Sequence, residues 1–376
     1  MSASNIPSPC FVLQEELLEK NLQRIKSIAD EAGVEFILAF KGFAMWSAFP
    51  LVRQYINGAT ASSLNEAKLC NDYMNTKSHT YCVAYREEEM DEILKLSSHI
   101  TFNSLSQLSH YHEKAQKAGV GIGLRINPEF SDVETDLYNP ASPSSRLGVT
   151  ENELKDGLSM PIDGIHTHVL CESSAESLEG LLNAVEQKFG HLLPHIKWLN
   201  IGGGHLVTRK NYNVELLVHL LKNFKAKHGV EIILEPGSAF AWETGTLHTS
   251  VLDIVERNGV KTAIIDASFT CHMPDCLEMP YRPNLEVGSS DSAKYDYKYR
   301  LGGVSCLAGD YLEEYSFPEP LVIGSPIVFK DMIHYTMVKT TTFNGVHHPS
   351  IGIAKKGGGF QLIKEFGYEE YRDRLS

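Results

Sequence analysis

No run of about 18 consecutive apolar residues occurs in this chain of 376 residues, which removes a membrane-spanning helix from the expected architecture. No segment gathers lysine and arginine without acids, and 34 basic residues stand against 47 acidic ones, a net charge of −13. A protein that grips a phosphate backbone needs a positive patch, so nucleic acid is excluded as the main partner. Cysteine is sparse and scattered, with seven residues at 10, 70, 82, 171, 271, 276 and 306 and no framework spacing. An odd, irregular set points to free thiols in a reducing compartment. The opening Met-Ser-Ala-Ser-Asn-Ile-Pro has neither the basic start nor the apolar core of a secretory signal. Low-complexity tracts and residue-level repeats are missing too. A cytoplasmic globular enzyme is the class these absences favour.

What is present fits that class. Hydrophobic residues make up 43% and charged residues 22%, enough to bury a large core. At about 100–200 residues per domain the length accommodates two domains, or one large barrel with an attachment. Short β-branched runs at 35–40, 57–61, 79–84, 100–102, 121–126, 164–170, 198–201 and 232–235 alternate with segments of helical spacing. Leu18, Leu22, Ile25 and Ala29 share one helical face, and further helices are expected at 63–73, 87–96, 104–118, 175–190 and 214–228. Eight such units read as an α/β fold, a (β/α)8 barrel over 14–245. An open doubly wound sheet is the other arrangement this rhythm permits, and both place chemistry at the carboxyl ends of the strands. Past residue 245 the rhythm becomes mostly β, with strands expected at 251–255, 262–266, 321–323 and 327–329. Residues 1–13 are expected to join 246–376 in this second domain, with 9–13 as an edge strand.

The strand ends carry the chemistry. Lys41 follows Phe36-Ile37-Leu38-Ala39-Phe40 directly, where low-dielectric surroundings disfavour its ammonium and suit an amine that attacks a carbonyl. A lysine whose stem lies on the core while its amine reaches water has the same pattern. Gly202, Gly203 and Gly204 after the seventh strand allow backbone N–H groups to approach an anion such as phosphate, or form a plain turn. Glu235, ahead of Pro236 and Gly237, is placed to meet a protonated pyridine nitrogen or a neighbouring cation. His166 and His168 face one side of a strand, and with Cys171 they permit a metal site. Alternatively His168 lies flat over an aromatic cofactor while His166 packs or hydrogen-bonds. In the second domain, Cys306 and Asp310 share a loop, and Tyr335 can reach a phosphate oxygen. An imine-forming lysine, a ring support, a phosphate cradle and a carboxylate for a pyridinium, in this order, are the parts of a pyridoxal phosphate site.

On these residues the sequence resembles the fold-type III, alanine-racemase-like pyridoxal phosphate decarboxylases, in particular their carboxynorspermidine/carboxyspermidine decarboxylase group. The likeness covers nearly the whole chain. It is carried by Leu-Ala-Phe-Lys-Gly-Phe around Lys41, Ala-Thr-Ala-Ser-Ser-Leu-Asn-Glu at 59–66, Ser-Arg-Leu-Gly-Val at 145–149 and His-Thr-His-Val-Leu-Cys-Glu at 166–172. Asn-Ile-Gly-Gly-Gly-His at 200–205 and Leu-Glu-Pro-Gly at 234–237 add to it. The most distinctive strings are His-Met-Pro-Asp-Cys-Leu-Glu-Met-Pro-Tyr-Arg-Pro at 272–283, Cys-Leu-Ala-Gly-Asp at 306–310 and His-Tyr-Thr-Met-Val-Lys at 334–339.

The resemblance implies that Lys41 bonds the cofactor covalently, His168 stacks on its ring and Glu235 meets the pyridinium nitrogen. It implies that Gly203, Gly204, Gly237 and Tyr335 hold the phosphate. It further implies a head-to-tail homodimer whose partner subunit supplies Cys306, the acid that protonates the substrate carbon, and Asp310. Ser238 stands where diaminopimelate decarboxylases usually carry arginine, which weakens diaminopimelate as the substrate. Glu243 and Asp275 are candidates for the amines of a cationic carboxylated triamine, and Arg282 for its carboxylate or for Glu278. An amino-acid racemase, a metal-dependent barrel hydrolase using His166, His168 and His272, and a non-catalytic homologue are the competing readings.

Overall fold

The computed structural model describes residues 6–133 and 139–376. Residues 1–5, expected with the β-rich domain, and 134–138, expected in the barrel, lie outside the described residues. The chain divides into two units, Asn21–Phe240 and a second made of the residues up to Lys20 with Ala241–Ser376. None of the described helices is long and apolar enough to cross a membrane.

After β1 (Cys10–Gln14), the strands of the first unit are β2 (Glu35–Phe36), β3 (Leu38–Ala39), β4 (Ala59–Ala61), β5 (Ser78–Tyr81), β6 (Ser97–Phe102), β7 (Gly121–Arg125), β8 (Gly164–His166), β9 (Trp198–Asn200) and β10 (Glu231–Leu234). They form one parallel sheet in the order β2-β10-β9-β8-β7-β6-β5-β4-β3. β2 and β3 are halves of one strand, interrupted at Ile37. The first half pairs with β10 and the second with β4, which brings the sheet round to near closure. The eight-unit barrel expectation is borne out, and the open sheet is not.

The helices follow from capping and apolar spacing. Leu105–Lys117 starts where the Ser104 side chain accepts the Gln107 N–H, and Val214–His228 where Asn213 accepts that of Leu216. Gly229, at φ +68°, ends the latter in the left-handed region. Ala175–Phe189 buries Leu178, Leu181, Leu182, Val185 and Phe189 on one stripe. The single helix expected over 63–73 differs: Leu64–Leu69 gives way to a wider π turn at Cys70–Met74, closed by left-handed Asn75.

Toward the amino ends of the strands the barrel is filled by Trp198. A Cβ added at Gly164 would lie 2.0 Å from its Cδ2, and one at Gly123 2.4 Å from its Cη2, so glycine there makes room for the indole. His99 meets that ring edge-on at 5.4 Å, and His79 packs on His99 at 3.9 Å between centroids. This plug leaves the carboxyl-end layer as the place where side chains can meet a small molecule.

The second unit is mostly sheet, as expected. It contains β11 (Gly245–Arg257), β12 (Val260–Ile265), β13 (Tyr297–Gly302), β14 (Tyr311–Phe317), β15 (Pro326–Lys330), β16 (Ser350–Ala354) and β17 (Phe360–Lys364). The order is β14-β13-β12-β11-β1-β16-β17, with β15 also on β11. Two expectations need correction. β1 is an interior strand rather than an edge, antiparallel to β11 and parallel to β16. Its unbroken Cys-Phe-Val-Leu run is buried throughout, the pattern of a strand covered on both faces. Residues 321–323 form no strand: Val322 and Ile323 are exposed, and the chain turns between Pro320 and Gly324, whose φ is +88°.

Candidate active site

Tyr81, Arg125 and His166 end β5, β7 and β8, and Glu235 follows β10 directly. Lys41 comes two residues after β3, His168 two after β8, and Gly202 two after β9. Strand alternation and parallel register therefore bring seven side chains and backbone groups from six strands to one rim. Lys41, His168, Gly203, Gly204, Glu235 and Gly237 all belong to this first unit.

His168 is the hub. Its Nδ1 accepts the Gly203 N–H at 3.2 Å, and its Nε2 lies 3.1 Å from Lys41 Nζ. The nearer Glu235 oxygen is 4.0 Å from Nδ1, beyond hydrogen-bond reach, so the backbone N–H is the Nδ1 partner. An accepting Nδ1 puts the proton of a neutral ring on Nε2, which then donates to the lone pair of a neutral Lys41 amine. Both charge states agree with this. Burial, with Lys41 alongside, pushes the His168 imidazole down to about 3. Lys41 keeps contact with solvent, yet the barrel atoms crowding its amine lower its pKa, outweighing the opposite pull of Glu235. Arg125 fixes the base of the histidine by donating to the His168 carbonyl at 3.0 Å, with its guanidinium over the Tyr81 ring at 4.7 Å.

Glu235 is almost fully buried. Burial by itself would raise its carboxyl, but His166, with Nε2 2.6 Å from Oε1, reverses this and holds it well below the usual carboxylate range. Burial also pushes the His166 imidazole down. The pair is thus a carboxylate in close polar contact with a neutral ring, which leaves a fixed negative charge in the barrel mouth.

The glycines serve close approach. A Cβ at Gly203 would lie 2.7 Å from the Glu235 carbonyl oxygen, and Gly204, at φ +86°, presses on the Leu170 carbonyl. Gly42 and Gly237 meet backbone to backbone: a Cβ on Gly42 would lie 2.6 Å from the Gly237 Cα. This contact clamps the Lys41 turn onto the turn after Glu235. Gly42→Ala is accordingly expected to destabilise the protein by about 1–3 kcal/mol; a urea melt with an unchanged midpoint would contradict the contact.

A buried anion, a flat imidazole, an amine with lowered pKa and a cradle that excludes side chains together fit pyridoxal phosphate. His166, His168 and Glu235 also offer three donor atoms within 4.8 Å of one another, a group that shares only the two histidines with the set expected for a metal. Cys171 is not part of this group.

The remaining expected residues lie in the second unit. Cys306 is an exposed free thiol on the loop between β13 and β14. Asp310, expected at the substrate, is buried, and its oxygens accept from Ser268 Oγ, Thr270 N and Ser305 N. Tyr335 is the centre of a γ-turn, with φ +48° and ψ −59°, closed by the Thr336 N–H on the His334 carbonyl at 2.5 Å. Such a turn is strained for a bulky residue, and strain of this kind gathers at functional positions. Asp275 Oδ2 accepts from Thr336 at 2.9 Å and Tyr281 at 3.2 Å, while Oδ1 is buried without a hydrogen bond among the described residues. Glu243 is exposed. Arg282 donates to the Glu314 carbonyl at 2.6 Å, and Glu278 pairs with Lys339. Sequence reasoning missed Arg125 and Tyr81 at the barrel rim, marked by strand-end position, and, in the second unit, Asn344 beside Cys306, marked by the Asn-Gly turn signal.

Residues 11–333 match the family described as "Pyridoxal-dependent decarboxylase, C-terminal sheet domain". The chain is 49% identical to a carboxyaminopropylagmatine decarboxylase of Synechocystis sp., covering 99% of this chain and 96% of that one. It is 43% identical to a carboxynorspermidine/carboxyspermidine decarboxylase of Campylobacter jejuni, covering 99% of both. The crystal structure of carboxynorspermidine decarboxylase complexed with norspermidine from Campylobacter jejuni superimposes with a TM-score of 0.91, at 41% identity over 98% of this chain and 100% of that one. With its barrel, its second sheet and the strand-end lysine, histidine and glutamate, this chain belongs to the pyridoxal-dependent decarboxylase family.

Proposed function

We propose that this protein binds pyridoxal 5'-phosphate and decarboxylates carboxynorspermidine and carboxyspermidine to norspermidine and spermidine, a step of polyamine biosynthesis. The observation that carries the reading is the Lys41–His168 contact of 3.1 Å beside the buried Glu235 anion, in a chain with a full-length relative so named. A second reading follows from the relative at 49% identity, whose named substrate carries a guanidino end in place of an amine. The two share an α-amino carboxylate head and a cationic tail. An acidic surface of net charge −13 attracts either.

When bound, pyridoxal phosphate supplies the electron sink for the pair left on the substrate carbon as carbon dioxide departs. Lys41 holds the cofactor, His168 supports its ring, and Glu235 keeps a negative charge at the pyridine nitrogen. The N–H groups around Gly203, Gly204 and Gly237, with Tyr335, hold the phosphate. Cys306, from the partner subunit of a homodimer, gives its thiol proton to the carbon. Asp275, with one oxygen lacking a hydrogen bond among the described residues, and exposed Glu243 are the candidates for the distal cation; Arg282 is the candidate for carboxylate.

Carbon dioxide release by purified protein supplied with pyridoxal phosphate tests this. Turnover of both triamine carboxylates, and of Lys41→Ala mixed with Cys306→Ala but neither alone, is expected. Turnover of carboxyaminopropylagmatine alone supports the second reading. Racemisation without carbon dioxide, or activity requiring a metal ion, overturns both.

A further inference from the structure

The loop that carries Cys306 is held by more contacts than a surface turn requires. At its base, the Asp310 carboxylate accepts the Ser305 N–H at 3.0 Å through Oδ2, which also accepts the Ser268 hydroxyl at 2.8 Å. Oδ1 accepts the Thr270 N–H at 3.0 Å. Gly303 makes the room: a Cβ there would lie 2.4 Å from the Asp310 carboxylate, while the Gly303 N–H donates to the Asp310 carbonyl at 2.7 Å. At its tip, the Cys306 N–H donates to Asn344 Oδ1 at 2.8 Å. Asn344 sits at φ +59°, a conformation asparagine tolerates, and this aims its amide at the loop.

Both anchors stand on one helical turn. The Phe269–His272 turn is capped by Ser268, whose hydroxyl accepts the Cys271 N–H at 3.1 Å while donating to Asp310. On its other side, the Cys271 carbonyl accepts the Thr341 N–H at 2.7 Å, and Cys271 Sγ reaches the Phe343 carbonyl at 3.6 Å. Hydrogen bonds thus run in a ring from the turn through Asp310 to the thiol loop, across to Asn344, and back through 341–343 to the turn. A carboxylate with both oxygens so occupied has little capacity left for a substrate amine.

We propose that Asp310 and Asn344 are positioning residues that hold Cys306 on one face of the substrate carbon, and that Asp310 is not a substrate ligand. The proposal rests on the reading of Cys306 as proton donor. In that step the bond from the substrate carbon to its carboxylate breaks and carbon dioxide leaves. The retained electron pair then takes the thiol proton, and solvent reprotonates the thiolate. An acid fixed on one face delivers its proton to that face alone.

The test is decarboxylation in heavy water, reading the configuration of the monodeuterated carbon in the product together with kcat and KM. The wild type should give one configuration. Asn344→Gly keeps the left-handed backbone while deleting the acceptor. It should lower kcat about 10- to 100-fold with KM nearly unchanged, and give mixed configurations. Asp310→Asn should do the same, and if that variant does not fold, Asn344→Gly alone decides. Wild-type kcat and a single configuration in Asn344→Gly, while Cys306→Ala loses both, overturn the proposal and leave the Cys306 reading standing. A Cys306→Ala enzyme with normal rate and configuration overturns both. A large KM increase in Asp310→Asn with the configuration intact restores Asp310 as a substrate ligand and also overturns the proposal.

Discussion

Lys41→Ala is expected to abolish decarboxylation, by on the order of 10^4-fold or more, and to remove the visible absorption of lysine-bound pyridoxal phosphate. The reason lies in the hydrogen-bond order around His168. Because Gly203 donates to Nδ1, the ring proton is on Nε2 and faces the Lys41 amine, which must then offer its lone pair. A neutral amine attacks an aldehyde; an ammonium does not. Crowding by the barrel lowers the pKa of Lys41 below its ordinary 10.5, so the reactive form is more abundant at neutral pH than in a free lysine. Covalent capture by cofactor-free protein should accordingly slow as the pH falls, because protonation removes the lone pair. Borohydride reduction followed by peptide mapping checks the site: the reduced cofactor should appear on the peptide containing Lys41. Label on another lysine, or a surviving absorption band in Lys41→Ala, would refute the role.

The barrel was legible because each unit presents two periods in turn, a short β-branched run and then an apolar stripe at helical spacing. The rim was legible for the same reason, since a residue just past a buried run must sit at the strand's carboxyl end. That is how Lys41, His168, the glycines and Glu235 could be read as one group. The second unit was harder. β13 and β14 are rich in tyrosine and charge, and their pairing depends on partners distant in sequence, so Tyr297–Gly302 and Tyr311–Phe317 gave no clear alternation. The strand β1 was visible but its interior place was not, because sheet order is a property of pairing rather than of the strand itself. Asp310 shows the limit most clearly. A carboxylate four residues from a thiol has one appearance in sequence whether it faces a substrate or accepts three hydrogen bonds inside the fold. His166 was open between packing and hydrogen bonding; the structure puts its Nε2 2.6 Å from Glu235 Oε1, a close polar contact without hydrogen-bond alignment.

That distance makes His166→Ala the second variant with a large expected effect. Glu235 is an anion in a place where burial alone would keep it protonated, and His166 is the largest influence holding it ionised. Deleting the imidazole leaves a buried carboxylate without its nearest polar neighbour, at a cost of about 1–3 kcal/mol. The folded-state pKa of Glu235 is depressed in the wild type, so its contribution to stability is present above the ordinary carboxylate range and is lost only as the pH falls through that depressed value. With His166 gone, burial drives the carboxyl upward, and protonation begins at milder acidity. A protonated Glu235 presents no charge to a pyridinium. The variant should therefore bind pyridoxal phosphate more weakly than the wild type, with the gap widening as the pH is lowered toward 5. His166→Gln, which keeps a donor within reach of Oε1, should recover part of the affinity and of the melting midpoint. Fluorescence titration of cofactor-free protein across this range measures the effect without reference to turnover. If His166→Ala matches the wild type at every pH, the carboxylate is held ionised by something other than this imidazole, and the role given to His166 is wrong.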